Sequence, residues 1–229
     1  MAVSNPLPPG QRELDHYPRY GLWQFAHRFE QGPLPIRLDI GGDLQNPLQL
    51  DGKVLELMPR VEQDADIHCV TTWSWRGLHW SGVRLKDLYE QVVIPEGKPA
   101  AEIRYVVFRS RDNYRTYLPI EDALADDVLL VDRLDHKPLE WDHGAPLRLL
   151  APAHYAFKNA KHVCAIEFRH SMKGYRPPAF HWTEHPRART AFEERGIVLP
   201  GLLYRYLLRL AIPTVLWTFR RAAKKRGEN

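Results

Sequence analysis

Short runs rich in β-branched and aromatic residues, bounded by turn-forming residues, constrain the fold of this chain more than any other feature. They include PIRLDIGG, ADIHCVTTW, YVVFRS and VLLVDRL, which all lie between residues 35 and 135. Such runs between Gly, Pro, Asn and Asp clusters are typical of β-strands. Asp112-Asn113, between two of these runs, predicts a hairpin. KVLELMPR, GVRLKDLYEQVV and IEDALADD predict short helices between the strands.

Both ends of the chain differ from this central part. Residues 1–35 are rich in Pro, Gly and aromatics, which predicts an irregular arm lying over a central domain of residues 36–180. We expect that domain to cover the arm's aromatic residues, since they would otherwise be exposed. Four of them carry this expectation: Tyr17, Tyr20, Trp23 and Phe25.

Residues 181–229 form a C-terminal extension with an apolar, basic second half. Arg205, Arg209 and Arg220 interrupt its apolar residues, and Pro200 and Pro213 divide it. The longest uncharged run is too short for a transmembrane helix, and arginines within a span are costly. The pattern therefore predicts amphipathic helices. Residues 197–229 either pack on the domain or make a peripheral contact with a membrane or a partner.

Charge and cysteine content exclude some classes of protein. The 229 residues carry a net charge of +4, and five Lys and Arg fall in the last ten residues, so the excess is largely a tail effect. It does not indicate a nucleic-acid partner. Two cysteines make no disulfide framework. The first residues have no basic and apolar signal pattern and no twin arginine, so we expect a cytoplasmic protein, in contact with the inner membrane if the tail docks there.

Cys69 lies in a strand-like run beside His68, and the residues alone leave four roles open. It could be a small buried hydrophobe, the commonest role of cysteine. It could bind zinc with His68, His79 and His143, although their spacing is not that of a zinc site. A distant histidine could activate it as a nucleophile, since His68 would point to the opposite face of a strand. It could also bind a softer metal whose other ligands come from a cofactor.

The segment HGAPLRLLAPAHYAFKNAKH, residues 143–162, offers what an anionic cofactor requires. His143 and Gly144 form a turn, Arg148 follows on a strand, and a small-residue loop with two lysines precedes the strand VCAIEF. Fixed cations and backbone donors are the groups that bind phosphate. The lysines could equally be plain surface charges.

Taken together, the two segments resemble a known family. DIHCVTTWSWRGLHWSGVRLKDLYE resembles the cysteine motif of the sulfite oxidase-like molybdopterin-binding oxidoreductases. HGAPLRLLAPAHYAFKNAKHVCAIEF resembles their second signature, a turn and arginine followed by a Tyr-x-x-Lys-x-x-Lys loop. The resemblance covers about residues 35–170, with SRDNYRTYLPI matching the family's central hairpin. It implies an α+β fold with the mixed β-sheet of the sulfite oxidase catalytic domain.

The resemblance also implies roles for individual residues. Cys69 would be the molybdenum ligand and the catalytic residue. Residues holding the molybdopterin would be Ser110, His143, Arg148, Lys158, Asn159 and Lys161, with His27 and Arg28 as candidates from the arm. Asp112 and Tyr114 at the hairpin turn would line the substrate pocket, or be plain turn residues.

These features lead us to expect a stand-alone, bacterial-type member without the family's dimerisation domain. The expected activity is a molybdenum cofactor-dependent oxidoreductase that transfers an oxygen atom to or from a small molecule. No equivalent is found of the arginine set with which sulfite oxidases hold an oxyanion, which puts sulfite in doubt. No haem or iron–sulfur motif is found, so electrons would pass to an external carrier or a membrane redox partner. The alternative is a non-catalytic molybdopterin-binding or membrane-associated accessory protein.

Overall fold

The computed structural model of the chain describes residues 6–15, 22–26, 34–100, 102–178 and 184–224. Two β-sheets with short helices between them form the central part, and a long helix follows. The strands of the described residues are β1 (Arg12–Glu13), β2 (Arg37–Gly42), β3 (Leu48–Asp51), β4 (Arg60–His68), β5 (Trp73–Arg84), β6 (Tyr105–Ser110), β7 (Arg115–Pro119), β8 (Leu129–Leu134), β9 (Lys137–Pro138), β10 (Arg148–Leu150) and β11 (Val163–Arg169). The mixed α+β fold expected from the sequence is confirmed.

One sheet has the order β3-β2-β11-β6-β7, in which β11 runs parallel to β2 and the other neighbours are antiparallel. The hairpin β6–β7 turns at Asp112-Asn113, as predicted, and Asn113 has φ of 66°. Asparagine tolerates this left-handed conformation better than most residues. Strand β11 pairs with β6 of the predicted hairpin, and the basic loop directly precedes β11 in the chain. This sheet therefore brings the hairpin and the basic loop close to each other.

The other sheet has the order β1-β5-β8-β10, with β4 on β5 and β9 on β8. Both of its faces are covered. Leu130 on β8 packs in the larger core with the first sheet, whereas its neighbours Leu129 and Val131 pack in a smaller core with Trp80. A strand buried on both faces has a continuous apolar run, which explains VLLV in this segment.

Close contact between two strands explains Gly82. A Cβ at Gly82 would come within 2.1 Å of the Leu130 carbonyl oxygen on β8. The register also shifts between Ser81 and Gly82 in this pairing. Only glycine permits the two backbones to approach so closely.

The helices follow the predicted segments. They are α1 (Gly52–Leu57), α2 (Leu85–Leu88), which continues as a wider π-type helix over Tyr89–Gly97, α3 (Ile120–Ala123) and α4 (Gly201–Lys224). Single 3-10 turns cover Trp23–Phe25, Trp141–His143 and Ala156–Lys158. Asp51 begins α1 by accepting hydrogen bonds from the amides of Lys53 and Val54.

The C-terminal segment forms one helix where the prolines suggested more than one. Pro213 lies inside α4, and side chains on both sides of it, Tyr204 and Phe219, are buried. Packing at both ends offsets the backbone hydrogen bond that proline removes. In the part of the chain that the structure describes, no helix is both long and apolar enough to span a membrane.

Part of the N-terminal arm packs as expected and part does not. Strand β1 pairs with β5 in parallel, and the ring of Phe25 contacts that of Tyr114. Trp23, which we expected to be covered, is 56% exposed. Tyr17 and Tyr20 lie outside the described residues. The expectation is wrong at Trp23, which lies in a short 3-10 turn that buries none of its three residues.

Candidate active site

Cys69 lies in the tight turn that joins β4 to β5. The strand ends at His68, so Cys69 is not within it as expected but is the first residue of the turn. Its amide donates to the Trp73 carbonyl at 2.8 Å, and the Thr72 amide donates to the Cys69 carbonyl at 3.0 Å. We call Cys69–Thr72 the cysteine turn. These two hydrogen bonds fix the position of the thiol as firmly as a strand would.

The thiol is buried in this turn. Cys69 is 6% exposed, and its Sγ lies 3.0 Å from the Thr71 hydroxyl. Burial raises the pKa of Cys69, while the Thr71 hydrogen bond and the Arg195 charge act in the opposite direction. A buried thiol is neutral at neutral pH, and binding of a metal ion is the ordinary means of removing its proton.

The N-terminal arm holds one side of the cysteine turn. The Gln11 side-chain amide donates to the Cys69 carbonyl at 3.0 Å, and its oxygen accepts from the Ser74 hydroxyl at 3.2 Å. The same hydroxyl lies 2.7 Å from His68 Nδ1. Burial lowers the pKa of His68, which favours a neutral ring. His68 is therefore a structural residue beneath the turn.

The C-terminal extension holds the other side. Arg195 has a fully buried side chain that donates to the carbonyls of Val70 and Pro9 and to the Glu193 carboxylate. Its guanidinium also lies 4.8 Å from the centre of the Tyr155 ring. A buried guanidinium needs several partners, and these bind it to the cysteine turn and to the arm.

Two arginines of α4 complete this contact. Arg205 donates to both oxygens of Glu193, at 2.7 and 2.9 Å. Arg209 donates to the Thr72 hydroxyl at 2.9 Å and to the Gly10 carbonyl at 3.1 Å. We call Glu193, Arg195, Arg205 and Arg209 the C-terminal brace.

The backbone of Thr72 explains why such a brace is needed. Thr72 has φ of 79°, a conformation that β-branched residues rarely adopt. Strained conformations of this kind persist only where the surrounding contacts hold them.

Three of the predicted cofactor residues lie together in a second group, the cation cluster of His143, Arg148 and Lys161. Arg148 donates to the His143 carbonyl at 2.9 Å, and Lys161 donates to the Asp142 carbonyl at 2.6 Å. Burial lowers the pKa of His143, and the charges of Lys161 and Arg148 lower it further. The group therefore offers two cations, Arg148 and Lys161, beside a neutral imidazole, and fixed cations are what a phosphate-bearing ligand requires.

Contacts connect the cation cluster to both hairpins. The His143 ring lies 5.7 Å from that of Trp75, whose strand partner is Ile67, two residues before Cys69. On the other side, the His162 amide donates to the Gly144 carbonyl, and the Arg111 amide donates to the His162 carbonyl. The fold thus places the cysteine turn, the basic segment and the β6–β7 hairpin around one region.

Ser110, at the end of β6, has the property expected of a ligand-binding residue. It is 5% exposed, and its hydroxyl has no hydrogen-bond partner within the described ranges. A buried hydroxyl without a partner is unfavourable, so a bound group that supplies one would stabilise this site. The unpaired hydroxyl, the cation cluster and the buried thiol fit an anionic molybdopterin.

Asn159 and Lys158 make contacts within the protein. The Asn159 side chain accepts from the Ala151 amide at 2.7 Å and donates to nearby carbonyls, so it holds the loop. Lys158, fully buried, donates to the Tyr117 carbonyl and lies 4.0 Å from Glu184. Their direct contact with the cofactor stays a prediction.

The hairpin residues assigned to the substrate pocket are engaged in the turn. Asp112 accepts from the Tyr114 amide at 2.9 Å, and the Tyr114 hydroxyl donates to the Phe157 carbonyl. Burial raises the pKa of Tyr114 strongly. Their role at a substrate pocket stays a prediction, and His27 and Arg28 lie outside the described residues.

Sequence reasoning missed Gln11, Tyr155 and the C-terminal brace. Gln11 carried no motif, and the helix arginines were interpreted as obstacles to membrane insertion and as part of basic amphipathic helices, with no partner residue named. The two glutamates of EERG, followed by the two arginines of LLYRYLLR, were the available signal. It does not by itself say which surface those charges meet.

Comparison with known proteins agrees with this geometry. The sequence model of one family, the oxidoreductase molybdopterin binding domain, matches residues 30–175. The matched range contains the cysteine turn and the cation cluster. The C-terminal brace lies outside it.

Individual relatives cover part of the chain. The uncharacterized oxidoreductase YuiH of Bacillus subtilis is 36% identical over 131 residues, 57% of this chain and 64% of that protein. The protein-methionine-sulfoxide reductase catalytic subunit MsrP of Campylobacter jejuni is 30% identical over 150 residues, 58% of this chain and 48% of that subunit. The chain thus spans less than two thirds of these curated relatives.

A solved structure shows the same fold. The sulfane dehydrogenase SoxCD from Paracoccus pantotrophus superposes with a TM-score of 0.54 at 20% identity, over 70% of this chain and 46% of that chain.

Proposed function

This chain belongs to the oxidoreductase molybdopterin-binding domain family, whose cofactor is molybdenum held by molybdopterin, and we propose that it catalyses two-electron oxygen-atom transfer on a small molecule. The observation that carries the proposal is the combination of one buried thiol, a cation cluster linked to its hairpin through the His143–Trp75 contact, and an unpaired buried hydroxyl within the described ranges. The thiol supplies a metal ligand, and the other two groups supply the contacts for an anionic pterin.

Each residue has a definite task in this proposal. Cys69 Sγ would bind the metal as a thiolate, and the hydrogen bonds of the cysteine turn would keep it in place. Arg148 and Lys161 would balance the charge of the pterin phosphate, His143 would hold the turn beside them as a neutral hydrogen-bonding residue, and the Ser110 hydroxyl would bond to the cofactor. The bound cofactor would supply the two-electron redox chemistry of oxygen-atom transfer. The chain's own residues provide binding, orientation and protection from water.

The relatives suggest the kind of substrate. MsrP is named for the reduction of methionine sulfoxide in proteins, and it shares 30% identity with this chain. We therefore place a sulfoxide first among the substrates to be tried, before N-oxides and sulfite. The electron carrier would be a separate protein or small molecule.

Metal analysis of two cysteine variants tests the proposal. Protein purified from a host that makes molybdopterin is expected to hold about one molybdenum per chain, and Cys69→Ser is expected to lose it, because a serine hydroxyl gives up its proton far less readily than the thiol that becomes a metal-bound thiolate. Cys164→Ser is the matched control, since Cys164 is the other free cysteine and lies half-buried on β11. Wild-type protein without molybdenum from such a host would exclude the proposed function.

A substrate screen addresses the reaction itself. The molybdenum-loaded protein would be reduced and then mixed with sulfoxides, N-oxides or sulfite, with the metal's redox signal as the readout. A sulfoxide is expected to reoxidise the metal. If none of these compounds changes the signal, oxygen-atom transfer on this class of substrate is wrong even when the cofactor is present.

An exposed apolar stripe on α4 favours a second role, peripheral contact with anionic lipid. Leu203, Tyr206, Leu210 and Trp217 point away from the domain on one side of the helix, and Leu210 is 78% exposed. Residues 201–224 carry five Arg and Lys and no acidic residue. An apolar stripe with basic residues at its end matches the headgroup region of an anionic membrane.

Vesicle flotation tests this contact. Wild-type holoprotein is expected to float with vesicles rich in phosphatidylglycerol and to remain in solution with neutral vesicles. Leu210→Glu should weaken flotation, whereas Gln45→Glu, the same charge change at an exposed position outside α4, should have less effect. Equal recovery of wild-type protein in solution with both vesicle types would refute the contact. The expected cytoplasmic location stays a prediction.

A further inference from the structure

A second group of metal-ligating side chains lies on the sheet that carries the cysteine turn, but far from it. Glu62 of β4, His79 of β5 and His136 of the β8–β9 turn offer ligand atoms that all lie within 4.8 Å of one another. Glu62 is seven residues before Cys69 along an extended strand, about 20 Å away at roughly 3.3 Å per residue. The group therefore belongs to no part of the molybdopterin site.

His79 is oriented as metal-binding histidines are. Its Nδ1 lies 2.7 Å from the Asp64 carboxylate, and its Nε2 lies 3.5 Å from Glu62. A carboxylate on one ring nitrogen fixes the tautomer and leaves the other nitrogen for the metal. The ring of His136 lies 4.5 Å from that of His79.

Backbone hydrogen bonds hold the two histidines next to each other. The Asp135 amide donates to the His79 carbonyl at 2.8 Å, and the His79 amide donates to the Asp135 carboxylate at 3.2 Å. Asp135 and His136 have φ of 48° and 63°, the left-handed pair of a tight hairpin turn. Two strands and one tight turn thus bring their ligands to one place without a long flexible loop.

We propose that Glu62, His79 and His136 form a binding site for a divalent transition ion of the zinc class. Two imidazoles and one carboxylate are a common ligand set for zinc, and solvent would fill the fourth position. Bonds of about 2.0 to 2.1 Å would place tetrahedral ligands roughly 3.4 Å apart. Small rotations of the exposed Glu62 and His136 side chains would reach this spacing.

The ion would fasten the β8–β9 turn to the β4–β5 hairpin. It would bind the folded chain and not the unfolded one, since the ligands come from residues 62, 79 and 136. It would therefore raise the thermal stability of the protein, by an amount that grows with the logarithm of the free ion concentration above the dissociation constant. This proposal does not depend on molybdenum or on the reaction.

The competing interpretation is that His79 is simply a protonated imidazole between two carboxylates. The Asp64 hydrogen bond raises the pKa of His79, which agrees with that interpretation when no ion is bound. The two interpretations differ at His136. This residue would be essential to a metal site and nearly irrelevant to an ion pair of His79 with Asp64 and Glu62.

Zinc titration of untagged holoprotein separates them. Wild-type protein is expected to bind about one zinc per chain in calorimetry with ZnCl₂, and zinc should raise its melting temperature. His136→Ala should abolish both effects. Asp64→Asn should weaken binding by about 10- to 100-fold, the usual effect of removing a carboxylate behind a ligating histidine. Molybdenum content, measured in parallel, should not change.

His170→Ala is the matched control. His170 is an exposed histidine whose Nδ1 lies 2.6 Å from Asp43, so it repeats the His–Asp pair. It belongs to no group of three ligands in the ranges that the structure describes. It should bind zinc as wild type does. No saturable zinc binding by wild-type protein, or equal affinity in His136→Ala, would overturn the proposal.

Discussion

At the scale of single residues, Gly144 decides whether the cation cluster can assemble. It has φ of 110°, and an added Cβ would come within 3.1 Å of the Cβ atoms of both Arg148 and Lys161. The side chains of Arg148 and Lys161 can lie close to this turn because Gly144 has no side chain. Any other residue would be strained at this positive φ, and its Cβ atom would lack space.

Gly144→Ala is expected to lower the free energy of unfolding by about 1 to 3 kcal/mol, through backbone strain and crowding together. Gly174→Ala is the control, because Gly174 also has a positive φ, 80°, but an added Cβ meets nothing within 4 Å. Denaturant unfolding would measure both variants. A loss in Gly144→Ala no greater than in Gly174→Ala would show that crowding of the cluster is unimportant.

Lys158 is expected to make stability depend on pH in the alkaline range. Burial lowers its pKa to about 8, although Glu184 and Asp122 raise it. Between about pH 8 and 10 the unfolded chain therefore binds the proton that the folded chain has released, so stability rises with pH. The gain is at most about 3 kcal/mol. Unfolding of wild type and Lys158→Met across this range would measure it, and a similar slope in both would contradict it.

At the scale of elements, α4 has two faces with different tasks. Its inner side carries Tyr204 and two arginines of the C-terminal brace, Arg205 and Arg209, and its outer face carries the exposed leucines. The brace arginines appear in the sequence only as charges among apolar residues. In the structure they stabilise the cysteine turn, which contains both the strained Thr72 and Cys69, the proposed metal ligand.

Arg209→Gln is expected to reduce the molybdenum retained after dialysis, since the cysteine turn loses a contact at Thr72. Glycine adopts positive φ without strain, so Thr72→Gly in the same chain should restore much of the retained molybdenum. Arg220→Gln, an exposed arginine farther along α4, is the control. Retention in Arg209→Gln equal to that of wild type would show that the brace does not position the turn.

At the scale of the whole molecule, α4 lies beyond residues 30–175, the range that the family model matches. If α4 is part of the core of the domain, it should unfold together with the domain. The Tyr204 ring packs against Gly196, and its hydroxyl accepts from the Val198 amide at 3.3 Å. Phe219 is buried on the same helix. These contacts and the brace predict one cooperative unit.

Tyr204→Ala is therefore expected to lower the stability of the entire protein by about 3 to 5 kcal/mol, within a single thermal transition. Tyr206→Ala, two residues along and 56% exposed, should change stability by less than about 0.5 kcal/mol. Calorimetry and hydrogen exchange of α4 and β5 would measure this. Early exchange of α4 with an unchanged transition of the sheets would show that the helix unfolds alone.

Local signals in the sequence were sufficient for the elements and for part of the site. Strand runs, the turn at Asp112-Asn113 and the short helices depend on residues within one element, so the residue order itself specifies them. Cys69, His143, Arg148 and Lys161 were predicted through motif resemblance, and the structure places the last three together.

The sequence by itself determined which residue types could bind a metal and an anion, because these depend on side-chain chemistry and short spacing. Only the tertiary structure decided what surrounds them. Gln11, Arg195 and Arg209 contact the cysteine turn across 58, 125 and 137 residues of chain. Glu62, His79 and His136 likewise meet only when three strands pair. Such partners depend on how the sheets close and how α4 packs, and no local pattern encodes those distances.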